Sequence, residues 1–280
     1  MMKHLLCTAL VVALVVLPGS GPAADKIRVV ATIPDLADMA RHIGGDLLDV
    51  RSIATGVEDI HAVPMKPSFA TLLNKADVLL LLGLDAEHAF LPALLEAAKN
   101  PRIIRDAPGY IDCSVYVPVL DLPTRIDRAL GDQHPMGNPH YNASPEGGKA
   151  AARAIADGLG RLYPEHQDVF QRNLEAYLAT LDAAIAKWGM VPFGTIEIRA
   201  GVDPTPGHIA QLEESMRKNN VKLVVRELQY PAGLAESVAK AAGATLVELP
   251  VMSGGIPETK DYIGFLDYNV RTMVKAVQGS

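Results

Sequence analysis

The feature that most constrains this chain is the run Ala76-Asp77-Val78-Leu79-Leu80-Leu81-Leu82. After Asp77 it has no polar face, so a strand here must be covered on both sides, the condition met in parallel sheets flanked by helices. The neighbouring segments fit that demand. Residues 27–33, rich in β-branched positions, and 48–53 are strand-like. Between them Pro34-Asp35 opens a helix that runs through Ile43 and stops at Gly44-Gly45, with proline inside the start and glycine past the end. Helices are expected at 66–74 and 92–99 and a short strand at 102–104. In such a sheet, ligands bind in the loops beyond the carboxyl ends of the strands.

A further helix starts near Ser144-Pro145-Glu146 and runs through Ala150, Ala154 and Leu159. From Pro164 to Trp188 the apolar residues Val169, Leu174, Tyr177, Leu178, Leu181, Ile185 and Trp188 recur three and four apart, which predicts a long helix. It reads either as a rigid backbone between two α/β halves or as an ordinary core helix. Strands then follow at 195–199, 222–226 and 245–249, and helices at 205–218, 231–241 and 262–277. This gives an α/β architecture divided as 1–24, 25–160, 161–188 and 189–280.

Residues 1–24 are not expected to belong to the fold. Lys3 and His4 precede an apolar run, Leu5 to Leu17, and then small residues ending at Ala23-Ala24. That is the pattern of a cleavable secretory signal peptide, and the run falls short of the ~20 residues that span a bilayer. The product is expected in the periplasm. Cys113 is then the sole cysteine left, so no thiolate cluster can form and any metal site must use His and carboxylate ligands. The net charge of −6 comes without a basic cluster, which argues against nucleic acid.

Several residues could carry chemistry. His61, in Glu58-Asp59-Ile60-His61, lies in the loop after the second strand, and His140, in Gly137-Asn138-Pro139-His140-Tyr141-Asn142, lies in another loop. Neutral imidazole is the commonest protein ligand for zinc-like ions, although a lone loop histidine is usually plain surface. His134, in Gly131-Asp132-Gln133-His134-Pro135, could be a third imidazole, a support for the others, or exposed loop. Asp261 begins the last helix, where an acidic residue is favoured by capping and the helix dipole alone.

Taken together, these segments resemble the zinc- and manganese-specific solute-binding proteins of bacterial ABC uptake systems. Ile60-His61-Ala62-Val63-Pro64-Met65-Lys66-Pro67-Ser68 is similar to that family's histidine followed by Pro-Ser, and Asn138-Pro139-His140-Tyr141 to its Asn/Asp-Pro-His-aromatic motif. The strand through Leu82-Gly83-Leu84, the Pro-rich Gly201-Val202-Asp203-Pro204-Thr205-Pro206 and the pair Asp261-Tyr262 complete an ordered set across nearly the whole chain after residue 24. The resemblance implies two parallel-sheet α/β lobes joined by one long helix, with the metal in the cleft between them. It implies ligand roles for His61, His140 and Asp261. It also implies a divalent transition metal as the transported ligand and an ABC membrane permease as partner; zinc is favoured over manganese because imidazole suits zinc, and the chain is expected to act as a monomer.

One departure stands out. The family's fourth ligand, a histidine or glutamate, comes early in the second lobe after a strand. Here Trp188 leads through Gly189-Met190-Val191-Pro192-Phe193-Gly194 directly to Thr195-Ile196-Glu197, so the second lobe is expected to be shortened, with His134 or His208 as possible substitutes. Two other functions compete: a degenerate paralogue with weak or no metal binding, and a zinc-dependent hydrolase using Glu58 or Asp59 as base. Against the hydrolase, the chain has no His-Glu-x-x-His helix, nucleophile elbow or phosphate loop.

Overall fold

The computed structural model describes residues 25–120, 134–186 and 204–278. The leader, the Trp188–Gly194 junction and the expected strand at 195–199 lie outside the described residues.

The first half is a four-stranded parallel sheet in the order β2-β1-β3-β4, formed by β1 (Ile27–Ala31), β2 (Leu48–Ser52), β3 (Val78–Leu81) and β4 (Tyr110–Asp112). Helices α1 (Pro34–Gly44), α2 (Pro67–Lys75) and α3 (Leu91–Ala98) connect them. Strand β3 is buried at every position, as its unbroken apolar run requires. The chain leaves β1 for β2 on one side and returns to β3 on the other. That reversal makes the carboxyl ends of β1 and β3 the switch point where such sheets hold ligands.

The strand expected at 102–104 does not form. Ile103 is fully buried but Ile104 is 46% exposed, and the backbone turns so that Gly109 N–H reaches the Arg102 carbonyl. The edge strand comes later, at Tyr110–Asp112, and it pairs with β3. Of the two isoleucines, only Ile103 serves as a buried plug in a turn here.

Helices α4 (Pro145–Leu162) and α5 (Gln167–Ile185) pack on each other and on α1. A short 3-10 turn at Pro164–His166 precedes α5. Phe170, Leu174, Tyr177 and Leu181 of α5 are buried in the main core. The second half holds α6 (Pro206–Lys218), α7 (Gly233–Ala242), α8 (Tyr262–Gln278) and a parallel pair, β5 (Leu223–Glu227) with β6 (Thr245–Leu249). Its own core, Met216, Val224, Ala235, Val238 and Ala239, is small. Met252, Tyr262, Phe265 and Leu266 instead belong to the main core of the first half. Helix α8 touches α1 and α5 as well as β5 and β6, so it ties the smaller sheet to the larger one.

Candidate metal centre

The loop after β2 presents His61. Asp59 accepts the His61 N–H at 2.9 Å and starts the 3-10 turn Ile60–Ala62. Glu58 braces the preceding turn by accepting from the Thr55 N–H, the Thr55 hydroxyl and the Gly56 N–H. Burial pushes the Glu58 carboxyl up, but these donors outweigh it and hold it below its ordinary value. Both acids therefore build the loop. Gly56 sits at φ +105, and a Cβ there would lie 2.2 Å from the Ser253 carbonyl oxygen. Only glycine lets this loop meet the loop after β6 backbone to backbone.

The second imidazole comes from the 3-10 turn His140–Ala143, just ahead of α4. The Asn138 side-chain oxygen accepts both the His140 backbone N–H at 3.0 Å and the His140 Nδ1–H at 3.1 Å. His61 Nδ1 lies 3.1 Å from the Ala86 carbonyl oxygen. A carbonyl can only accept, so each ring carries a proton on Nδ1, which leaves Nε2 as the atom that can ligate a metal. These two Nε2 atoms stand 3.0 Å apart. That distance suits an N–H···N hydrogen bond when one ring also carries a proton on Nε2, and a shared cation when neither does. Tetrahedral zinc at Zn–N of about 2.0–2.1 Å spaces its nitrogens about 3.3 Å apart, close to what is observed.

His134 joins them. Its ring centroid is 4.7 Å from that of His61 and 5.3 Å from that of His140. Ligand atoms of His61, His134 and His140 all lie within 4.8 Å of one another. The two histidines singled out by position are thus brought together, and the third imidazole is the one six residues upstream of His140. Asp261 is not part of this group. Its Oδ1 accepts the Gly264 N–H at 2.6 Å, capping α8. His208 sits in the first turn of α6, where its backbone N–H donates to the Thr205 hydroxyl.

The seat of the His140 turn comes from the second half. Asn142 Nδ2 donates to Asp35 Oδ2 at 2.8 Å and to the Val251 carbonyl at 3.1 Å, and Tyr262 Oη donates to the Asn142 carbonyl at 2.7 Å. Asp35 Oδ1 in turn accepts the Ser253 N–H at 2.6 Å and the Ser253 hydroxyl. Asp35 is fully buried, and burial, opposed by these donors, pushes its carboxyl up to about 6. One turn on, Asp38 accepts the Tyr262 N–H at 3.0 Å. Residues three apart share a helix face, so α1 presents two carboxylates to the second half. In the sequence Asp35 reads only as a helix start. Nothing local marks it as a bridge to residues more than two hundred positions away.

Buried Glu87 holds the turn that carries Ala86. It accepts from the Thr32 hydroxyl at 2.7 Å, the Leu82 N–H at 2.6 Å and the Gly83 N–H at 3.2 Å. Burial raises its carboxyl to about 7. Tyr110, Cys113 and Tyr141 nearby are also pushed up by burial and stay neutral. An acid whose folded pKa exceeds its unfolded value of ~4.3 binds an extra proton on folding, so its contribution to stability falls as pH rises from about 4.5 to 7. Glu87→Gln should remove that component. Thermal melts across pH 4.5 to 8 should show wild type losing ground against the variant as pH rises; parallel curves would exclude the assignment.

This is an open parallel sheet with three imidazoles gathered in its loops, His61 beyond the carboxyl end of β2 and held by the Ala86 carbonyl beyond β3, the region where such sheets take ligands. Comparison supplies the family. The model of the periplasmic zinc-uptake complex component A, ZnuA, matches residues 29–191 and 186–276, and the chain belongs to that family. The iron-binding protein YfeA of Yersinia pestis is 24% identical over 90% of this chain and 86% of its own length. The manganese ABC transporter substrate-binding lipoprotein PsaA of Streptococcus mitis is 28% identical, over 57% of this chain and half of its own. Among solved structures, ZnuA superposes with a TM-score of 0.71 at 23% identity, covering 90% of this chain and 99% of that one. FpvC of Pseudomonas aeruginosa in complex with Mn2+ gives 0.73 at 20%, covering 91% and 99%. These structural likenesses support the two-lobed parallel α/β fold. The hydrolase reading falls, because the family and these relatives are binding components of uptake systems and not enzymes.

Proposed function

We propose that this chain is the exported, periplasmic solute-binding protein of an ABC uptake system, which captures a divalent transition metal and delivers it as a monomer to a membrane permease. Zinc is the favoured ion, held by His61, His140 and His134. The observation that carries this reading is the pair of Nε2 atoms 3.0 Å apart, each ring locked by an acceptor at Nδ1. Relatives are named for iron and manganese as well as zinc. The preference for zinc rests on the donor set, since imidazole suits zinc and carboxylate suits manganese. Asp261, the second-lobe ligand that the resemblance implies, has no part in this set.

Competition titrations of zinc, iron(II) and manganese(II) against a chromogenic chelator test the reading. Zinc should bind at one equivalent and at least about tenfold more tightly than manganese, following the softness of the ligands. Tighter binding of manganese would overturn the assignment of the ion, and absence of saturable binding by any of the three would overturn the function.

A further inference from the structure

Helix α1 carries an imidazole that the metal centre does not use. His42 is exposed in the last turn of α1, and its Nε2 lies 3.8 Å from Asp38 Oδ1, one turn earlier. Its ring stacks on the Tyr177 ring of α5, with centroids 5.2 Å apart and planes inclined by 30°. The other Asp38 oxygen accepts the Tyr262 N–H at 3.0 Å. Tyr262 Oη in turn reaches the Asn142 and Ser144 carbonyls at 2.7 and 2.9 Å. One path of contacts therefore runs from an exposed histidine, through a carboxylate and the first residue of α8, to the turn that carries His140.

The charges along that path are unevenly matched. Burial pushes the Asp38 carboxyl up, opposed by the Tyr262 N–H and by His42. Asp261, at the start of α8, and Asp35, on α1, are like charges close enough to act on it. Arg41 attracts it, but the Arg41 guanidinium donates to the Val50 carbonyl. The Tyr177 and Tyr262 hydroxyls are pushed up by burial and stay neutral. Tyr177 Oη is buried without a hydrogen bond, so α5 gives His42 a stacking platform and gives Asp38 no donor. Two of these groups change charge near neutrality: Asp35, lifted by burial to about 6, and His42, as an imidazole.

We infer that His42 is a proton-operated latch between the two halves: when protonated it pairs with Asp38, steadies the carboxylate that holds Tyr262, and so firms the seat of the His140 turn. The pairing needs the imidazolium, so its contribution is present on the acid side and is lost as pH rises towards 8. Uptake of a proton by Asp38 itself sets the lower limit of the window. The link to the captured ion rests on the three-histidine reading above; the latch does not.

Amide hydrogen exchange at Tyr262 of the metal-free full chain, corrected for intrinsic rate, tests this at pH 6 and 8, alongside zinc affinity at the same two values. Wild type should lose about two- to fivefold more protection between pH 6 and 8 than His42→Gln, the size of a partly exposed ion pair. His42→Arg, charged at both values, should stay protected at pH 8. Asp35 titrates in all three proteins and cancels from the comparison. The ratio of wild-type to His42→Gln zinc affinity should fall over the same interval by no more than the same factor. Equal pH dependence of exchange in wild type and His42→Gln overturns the latch. A difference in exchange with a constant affinity ratio overturns it as well, because the latch would then end short of the His140 turn. If wild type binds no zinc, the reading of the site fails separately and the exchange data alone decide the latch.

Discussion

Replacing His61 by alanine should weaken zinc binding by at least about a hundredfold, since even partners of the ligands typically account for 10–100-fold. The loss is larger than a missing contact. The His61 ring is fixed directly by the β3 turn, through the Ala86 carbonyl at 3.1 Å, and it touches both other imidazoles. His140→Ala should match it, because the Asn138 clamp has no function without the ring it orients. Neither change should much destabilise the metal-free protein, since His61 is half-buried and His140 exposed in loops outside the core. Zinc titration followed by urea denaturation of the apo forms separates the two effects. Loss of apo stability in step with loss of affinity would mean that the histidines are structural.

The second large effect is expected at Asp35. Asp35→Ala leaves the Ser253 N–H, the Ser253 hydroxyl and one Asn142 N–H without their acceptor in a fully buried site. Each stranded donor costs about 1–3 kcal/mol, so a total of about 3 kcal/mol or more should appear as a lower urea midpoint. Zinc affinity should fall as well, because Asn142 seats the turn that carries His140. Asp35→Asn keeps the volume and one acceptor oxygen, so it should lose less. It should also lack the titration: the native carboxyl, raised to about 6 from an ordinary 3.8, contributes stability that declines as pH rises from about 4 to 6. Urea midpoints at pH 4.5 and 7 for both variants check this. Equal stability of Asp35→Ala and wild type would dismiss the bridge between the halves.

Most of the fold was legible because its elements carry strong local signals. Strand β3 follows from an apolar run that no other element could bury, and α1 from Pro34 and the Gly44-Gly45 stop. The strand at 245–249 lies where periodicity predicts it. The edge strand was harder to place: three residues, Tyr110–Asp112, pair with β3 and carry no alternation that distinguishes them from Ile103-Ile104. The site was half legible. Loop position beyond a strand pointed to His61, and a proline-stiffened loop to His140, but their approach to 3.0 Å depends on tertiary packing. His134 was visible only as a candidate. Asp35, Asn142 and Ser253 meet through packing between distant segments, a relation that no local pattern encodes.

X-ray absorption at the zinc edge of the loaded protein tests most directly whether imidazoles hold the ion. The spectrum should show a first shell of nitrogen at about 2.0–2.1 Å with the multiple-scattering signature of at least three imidazoles. A first shell dominated by carboxylate or water oxygen, with fewer than two imidazoles, would contradict the histidine site.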